Sequence, residues 1–162
     1  MKLFTCYYKS PVGFVKIQCN DHNIVAIQFS TDTATNEVHP LLSSCQQQFD
    51  EYFSGERRIF NLPLEFSGTA FQKLVWEYLL NIPFGRTVSY LRLSEMMGNV
   101  KAIRAVAAAN GKNNFAIVVP CHRVIGSDKS LVGYAGGIWR KTWLLQHELK
   151  IQAGVEQSLL FQ

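Results

Sequence analysis

The hydrophobic rhythm of this chain differs between its two halves. Up to about residue 62 alternating or short apolar runs lead into a single helical stretch, and from Thr69 onward apolar residues recur mainly at helical spacing. In 162 residues this leaves room for one domain or for two small lobes. The change of period selects a sheet-bearing lobe followed by a mostly helical one. In the first, residues 2–8 and 13–19 flank Ser10-Pro11-Val12-Gly13 and read as a hairpin, and residues 24–29 as a third strand. Pro40 opens a helix with Leu41, Leu42, Cys45, Phe49, Tyr52 and Phe53 at helical spacing, stopped by Gly55.

In the second lobe Thr69 is placed to cap a helix with Phe71, Leu74, Val75, Tyr78 and Leu79 on its apolar face, ending before Pro83. Ser89 caps a short helix with Leu91, Leu93, Met96 and Met97 inside, and Gly98 ends it. After Asn99 a second short helix runs from Lys101 to Asn110, closed by Gly111. Two short helices about a Gly-Asn turn form the pattern of a helix-turn-helix, which ordinary bundles share. The second helix carries Arg104 and then almost only alanine. Such a surface could approach a DNA backbone closely, yet it lacks the Asn, Gln, Arg and Lys that read base edges, so any binding has little sequence preference.

Charge is consistent with a polyanionic partner. The net charge is +4, and between residues 71 and 150 only Glu77, Glu95, Asp128 and Glu148 oppose a much larger number of Lys and Arg. No stretch approaches the roughly 18 consecutive apolar residues of a membrane span, and the first residues lack a signal-peptide pattern, so the expectation is a soluble, cytoplasmic protein. Of the four cysteines, Cys6 and Cys19 with His22 have loose metal-ligand spacing. A zinc site needs four well-placed ligands, so we expect no metal, no cofactor and no disulfide framework.

Cys121 is the chemically suggestive cysteine. The run Phe115-Ala116-Ile117-Val118-Val119 reads as a buried strand leading into Pro120-Cys121-His122-Arg123-Val124. A cysteine beside His and Arg could be an activated nucleophile, although neighbours on a strand point to opposite faces.

The segment Pro120-Cys121-His122-Arg123-Val124 resembles the active-site motif of the O6-alkylguanine-DNA alkyltransferases, or methylated-DNA–protein-cysteine methyltransferases. The resemblance runs through Phe71-Gln72, Ile82-Pro83-Phe84-Gly85, Val88-Ser89-Tyr90, Arg104-Ala105-Val106, Asn110-Gly111 and Asn113. It continues through Gly133-Tyr134-Ala135-Gly136-Gly137 and Trp143-Leu144-Leu145 to Glu148. It implies an α/β fold: an N-terminal lobe (residues 1–65, a ribonuclease-H-like sheet with a helix) packed on a winged-helix-like, helix-turn-helix C-terminal domain (66–152), with a tail (153–162) that has no assigned role and is read as disordered.

The same resemblance implies roles. Cys121 is the alkyl acceptor, and His122 and Glu148 belong to a Cys–His–water–Glu relay. Tyr90 accompanies nucleotide rotation and donates to guanine N3, and Arg104 fills the gap left by the extruded base. Ala105, Ala108, Ala109, Asn110, Gly111 and Arg123 complete the DNA-contacting set. Asn113, Val124, Tyr134, Ala135 and Gly136 form the alkylguanine pocket. The expected partner is double-stranded DNA carrying O6-alkylguanine, entered from the minor groove by a monomer in a single, self-inactivating turnover, with O4-alkylthymine left open as a second substrate.

Asn114 and Val100 stand where the family often has proline, and Lys129 where it often has glycine. The main rival is a non-catalytic alkyltransferase-like lesion sensor, which would lack the acceptor cysteine. A multiple-turnover thiol hydrolase leaves the helix-turn-helix unexplained. A transcription-activating relative normally carries a further metal-binding domain.

Overall fold

The computed structural model describes residues 2–160. Its contacts divide the chain into two compact units, one made of residues 1–68 with 114–118, the other of 69–113 with 119–162.

In the first unit, β1 (Phe4–Ser10), β2 (Gly13–Cys19) and β3 (Ile24–Ser30) form an antiparallel meander in sequence order. Ser10 pairs with Gly13 across the hairpin, and Gly13 takes a φ of 99°, where a side chain would be strained. The Ser10 hydroxyl accepts from Val12 N (3.1 Å) and donates to Gly13 O (2.6 Å). The outer edge of β3 is not left open. Ile24 N donates to Pro63 O (2.7 Å), Ile27 N to Asn114 O (2.8 Å), and Ala116 N to Ile27 O (2.9 Å). Covering an edge in this way removes a template for pairing with other chains.

Helix α1 (Pro40–Ser54) starts with Pro40 in its first turn, and the His39 ring nitrogen Nδ1 accepts from Leu41 N (3.1 Å). Gly55 ends it at φ 88°. Leu42, Cys45, Phe49 and Tyr52 are buried on one face. Removing a ring such as that of Phe49 would cost about 3–5 kcal/mol.

In the second unit, Thr69 and Gln72 form a reciprocal capping box at the start of α2 (Ala70–Leu79). Trp76 is buried, and its Nε1–H donates to Ala109 O at 2.9 Å. Leu74, expected on the inner face, is 43% exposed, because the buried stripe runs through Val75, Trp76 and Leu79 instead.

Ser89 caps α3 (Tyr90–Met96), with its Oγ accepting from Arg92 N at 2.9 Å, and Gly98 turns the chain at φ 76°. Here Leu91 is 39% exposed, while Leu93 and Ser94 are buried. A short 3-10 turn (Val100–Ala102) precedes α4 (Ile103–Gly111). Gly111 is part of α4 rather than its stop, and Lys112 caps it.

Two further expectations are corrected. Residues 116–118 form turns rather than a strand, and Ile117 sits at φ 72°. Cys121 therefore opens a 3-10 turn (Cys121–Arg123), followed by β5 (Val124–Ile125), which pairs in parallel with β4 (Val88–Ser89). The chain ends in one long helix, α5 (Ile138–Leu160), so the tail is helical through residue 160; residues 161 and 162 lie outside the described residues. Side chains hold this extension, with Gln152 Nε2 donating to Glu156 Oε1 (3.1 Å) and Arg86 pairing with Glu156 (3.4 Å). Among the described residues no helix is long and apolar enough to cross a membrane.

Candidate active site

The 3-10 turn sends Cys121, His122 and Arg123 all inward, at 8%, 0% and 6% exposure. On a strand His122 and Cys121 would have faced apart; in the 3-10 turn both are buried. From α5, Glu148 meets them with 1% exposure. His122 Nε2 lies 2.6 Å from Glu148 Oε2. No water fits between atoms at that separation, so a relay with water between His122 and Glu148 is excluded. Arg123 donates from Nε to Glu148 Oε1 (2.8 Å), from Nη2 to Glu148 Oε2 (3.1 Å) and from Nη1 to Ile82 O (2.7 Å). Arg123 is thus an interior clamp and not a DNA contact. Gly85 N adds a longer bond to Glu148 Oε1 (3.4 Å).

These contacts fix protonation. Burial alone would raise the Glu148 carboxyl, but His122 and Arg123 hold it far below the ordinary carboxylate range. Burial lowers His122 against the pull of Glu148, leaving the ring neutral. A carboxylate only accepts, so the Nε2 nitrogen carries the proton and Nδ1 keeps its lone pair. That Nδ1 is buried and finds no hydrogen-bond partner among the described residues.

Cys121 differs from the other three thiols. Burial pushes it up, but the Asn113 amide, 3.2 Å from Sγ, and the Lys141 ammonium oppose the rise. Cys6 is pushed up to about 11 by burial against a hydrogen bond from Gln46, and Cys45 and Cys19 are raised by burial as well. Asn113 Nδ2 also donates to Val119 O (2.9 Å), which holds the turn that presents Cys121.

Lys141 is the functional candidate that sequence reasoning missed. It is fully buried, donating to Val124 O (2.6 Å) and Val132 O (3.0 Å). Burial lowers its pKa from the ordinary value. Its helical spacing with buried Leu144, Leu145 and Glu148 was the signal available: a lysine in line with an apolar stripe.

A cleft of about 610 Å³ lies beside this network. Tyr90 and the face of α4 bearing Arg104, Ala107, Ala108 and Gly111 form one side, and residues Val132–Ala135 the other. The expected residues Tyr90, Arg104, Ala108, Gly111, Tyr134 and Ala135 all come together here. Tyr90 and Tyr134 both lie within electrostatic reach of Cys121, which helps raise their hydroxyl pKa values after burial itself. Other expected residues are elsewhere. Ala109 and Asn110 are buried on the inner side of α4, not on a DNA-facing surface, and Ala105 is exposed off the cleft wall. Val124 is buried, with its carbonyl on Lys141, and Gly136 O accepts from Arg140 Nη1 (2.9 Å). Lys129, where the family often has glycine, holds φ 66°, so the loop keeps a glycine-like turn with a side chain on it. Among the described residues no three His, Cys, Asp or Glu side chains gather to hold a metal ion.

Comparison with known proteins agrees over nearly the whole chain. Residues 70–150 match the 6-O-methylguanine DNA methyltransferase DNA binding domain, and residues 3–66 the ribonuclease-like domain of the same proteins. A methylated-DNA–protein-cysteine methyltransferase from Haemophilus influenzae is 38% identical over 90% of this chain and 86% of its own length. The chain belongs to the methylated-DNA–protein-cysteine methyltransferase family. Among solved members, the Mycobacterium tuberculosis O6-methylguanine methyltransferase superposes with a TM-score of 0.84 at 36% identity, covering 92% of this chain and 94% of that one. The M. tuberculosis protein crystallised in complex with DNA gives 0.83 at 38% identity, covering 91% and 93%.

Proposed function

We propose that this protein repairs alkylated DNA directly, moving the alkyl group from O6 of guanine to the sulfur of Cys121. The observation that carries the reading is the state of His122. Glu148 fixes its proton on Nε2, so Nδ1 faces the interior as an unprotonated base next in sequence to a buried thiol. A water between Nδ1 and Sγ would complete a proton path, in the place opposite to the one the sequence resemblance implies.

The steps follow from charge. The Cys121 thiol is protonated at rest and passes its proton toward His122 as substrate arrives. Sulfur then attacks the alkyl carbon, and the bonding pair leaves on guanine O6. Tyr90, on the cleft wall, is positioned to donate to N3 and so stabilise the leaving base. The target carbon is buried in stacked duplex, so the nucleotide is extruded into the cleft, at a cost of a few kcal/mol that a damaged pair reduces. Exposed Arg104 on α4, with Lys101 and Lys112 flanking the helix, suits phosphate contact, and the small side chains of α4 suit a minor-groove approach by a monomer with little sequence preference. The product is a thioether that nothing in the site can cleave, so each molecule reacts once.

Incubation with an O6-methylguanine duplex followed by peptide mass mapping tests this. One methyl group on the Cys121 peptide, and no more than one per protein, is expected. Repeated turnover, or methyl on Cys6, Cys19 or Cys45, would overturn the assignment. A lesion sensor that binds without reacting would leave every peptide unmodified.

A further inference from the structure

Lys129 holds a left-handed backbone, φ 66°, which strains a lysine and leaves glycine at ease. The turn around it requires that conformation. Gly126 N donates to Ser130 O (2.9 Å), Lys129 N donates to Gly126 O (2.9 Å), and Asp128 Oδ1 accepts from Ser130 N (3.0 Å). A Cβ at Gly126 would collide with Ser130 Oγ and lie 2.8 Å from Asp128 Oδ1. The Asp128 carboxylate is thus folded back over the turn, and Lys129 stands exposed at its apex.

The apex is tied to the cleft on both sides. Before it, β5 pairs with β4, which leads directly into Tyr90. After it, Val132 O accepts from the Tyr90 hydroxyl (3.2 Å) and from Lys141 Nζ (3.0 Å). Residues Val132–Ala135 then line the cleft across from Arg104 and the small side chains of α4. The backbone of Lys129 is therefore fixed by the same groups that fix Tyr90. A lysine that served only solubility would gain nothing here, since glycine closes the same turn without strain. A cation gains when a phosphate lies at the rim of the cleft, because a preset backbone loses little freedom on binding.

We propose that Lys129 is a DNA phosphate contact on the loop side of the cleft, opposite Arg104, so that the backbone flanking the extruded nucleotide is held from both walls. This rests on the DNA-repair reading above. The turn that strains Lys129 is also what projects it, so the strain and the contact are one feature. Such a contact carries no base readout, and its contribution is the same on any sequence.

The test compares Lys129→Gly, Lys129→Gln and Lys129→Arg in the full chain, with binding to labelled duplexes of two unrelated sequences followed by anisotropy. Loss of one phosphate contact should make the plot of log affinity against log salt shallower by about 0.9 in the Gly and Gln variants, on both sequences. Between about 50 and about 200 mM salt the advantage of the wild type should then shrink roughly threefold. Lys129→Arg should keep the wild-type slope. Lys129→Gly should melt no lower than the wild type, because the backbone strain is relieved, so its weaker binding is not a loss of fold. A wild-type slope in the Gln variant would overturn the proposal. So would equal losses in the Arg and Gln variants, which would make the residue structural. A wild-type protein that binds duplex yet leaves Cys121 unmethylated would sink the alkyl-transfer reading instead, with the Lys129 slope still measurable.

Discussion

Replacing Arg123 with methionine keeps most of its volume but takes the guanidinium from Glu148, which keeps the neutral His122 ring as a donor. In the wild type Glu148 stays ionised, so its contribution is present above the ordinary carboxyl value of 4.5 and is lost only as pH falls below it. Without the guanidinium, burial dominates. The folded variant then holds one extra proton near neutrality, on Glu148 or on His122. A group raised in the folded state gives stability at low pH that is lost as pH rises. The deficit of the variant against wild type should therefore grow by up to about 1.4 kcal/mol per pH unit above 4.5. Between pH 5 and pH 7 that is about 2.7 kcal/mol. At pH 7 the total should approach the roughly 3–5 kcal/mol of a broken buried pair, with Ile82 O also losing its donor. Urea unfolding at pH 5, 6 and 7, followed by tryptophan fluorescence, measures it directly, since Trp76, Trp139 and Trp143 all lie in the second unit. A variant within about 1 kcal/mol of wild type at every pH, with weaker DNA binding and a shallower salt dependence, would make Arg123 a surface phosphate contact and refute the clamp.

Arg104→Ala should slow repair of duplex far more than reaction with free O6-benzylguanine, because the free base needs no extrusion; recovery of the full duplex rate at saturating protein would reduce Arg104 to a phosphate contact. Lys141→Met removes the cation that opposes the rise of the Cys121 thiol, so the pH–rate profile should move toward higher pH, with the rate at pH 7 falling roughly tenfold for each unit of that shift. An unchanged profile would confine Lys141 to holding the carbonyls of Val124 and Val132.

Local chemistry was readable in the chain. Ser10 and Gly13, Pro40 and Gly55, Thr69, and Gly98 each fix a turn or cap through atoms a few residues away. What escaped the sequence was set by distant partners. Arg123 reads as a surface cation until Glu148, far along the chain, is placed against it. Residues 115–119 have the composition of a buried strand, yet they are buried as turns, with only Phe115 and its neighbours bonded to β3. Asn110 and Arg104 share one short helix whose alanines mark no inner face, so periodicity could not tell which side each residue took. The terminal segment lacks a strong apolar stripe, and its helix is held by Glu156 reaching Arg86 and Gln152.

The excursion of residues 114–118 into the first unit means that no single cut separates the two. A fragment ending near residue 68 would present the outer edge of β3 without the backbone that accepts from Ile27 N and donates to Ile27 O. During synthesis the N-terminal unit must wait for residue 118 before it is whole, by which time α2, α3 and α4 have already emerged. The returning strap ends three residues before Cys121. Completing the scaffold and delivering the nucleophile to its turn are therefore one event in the life of the nascent chain.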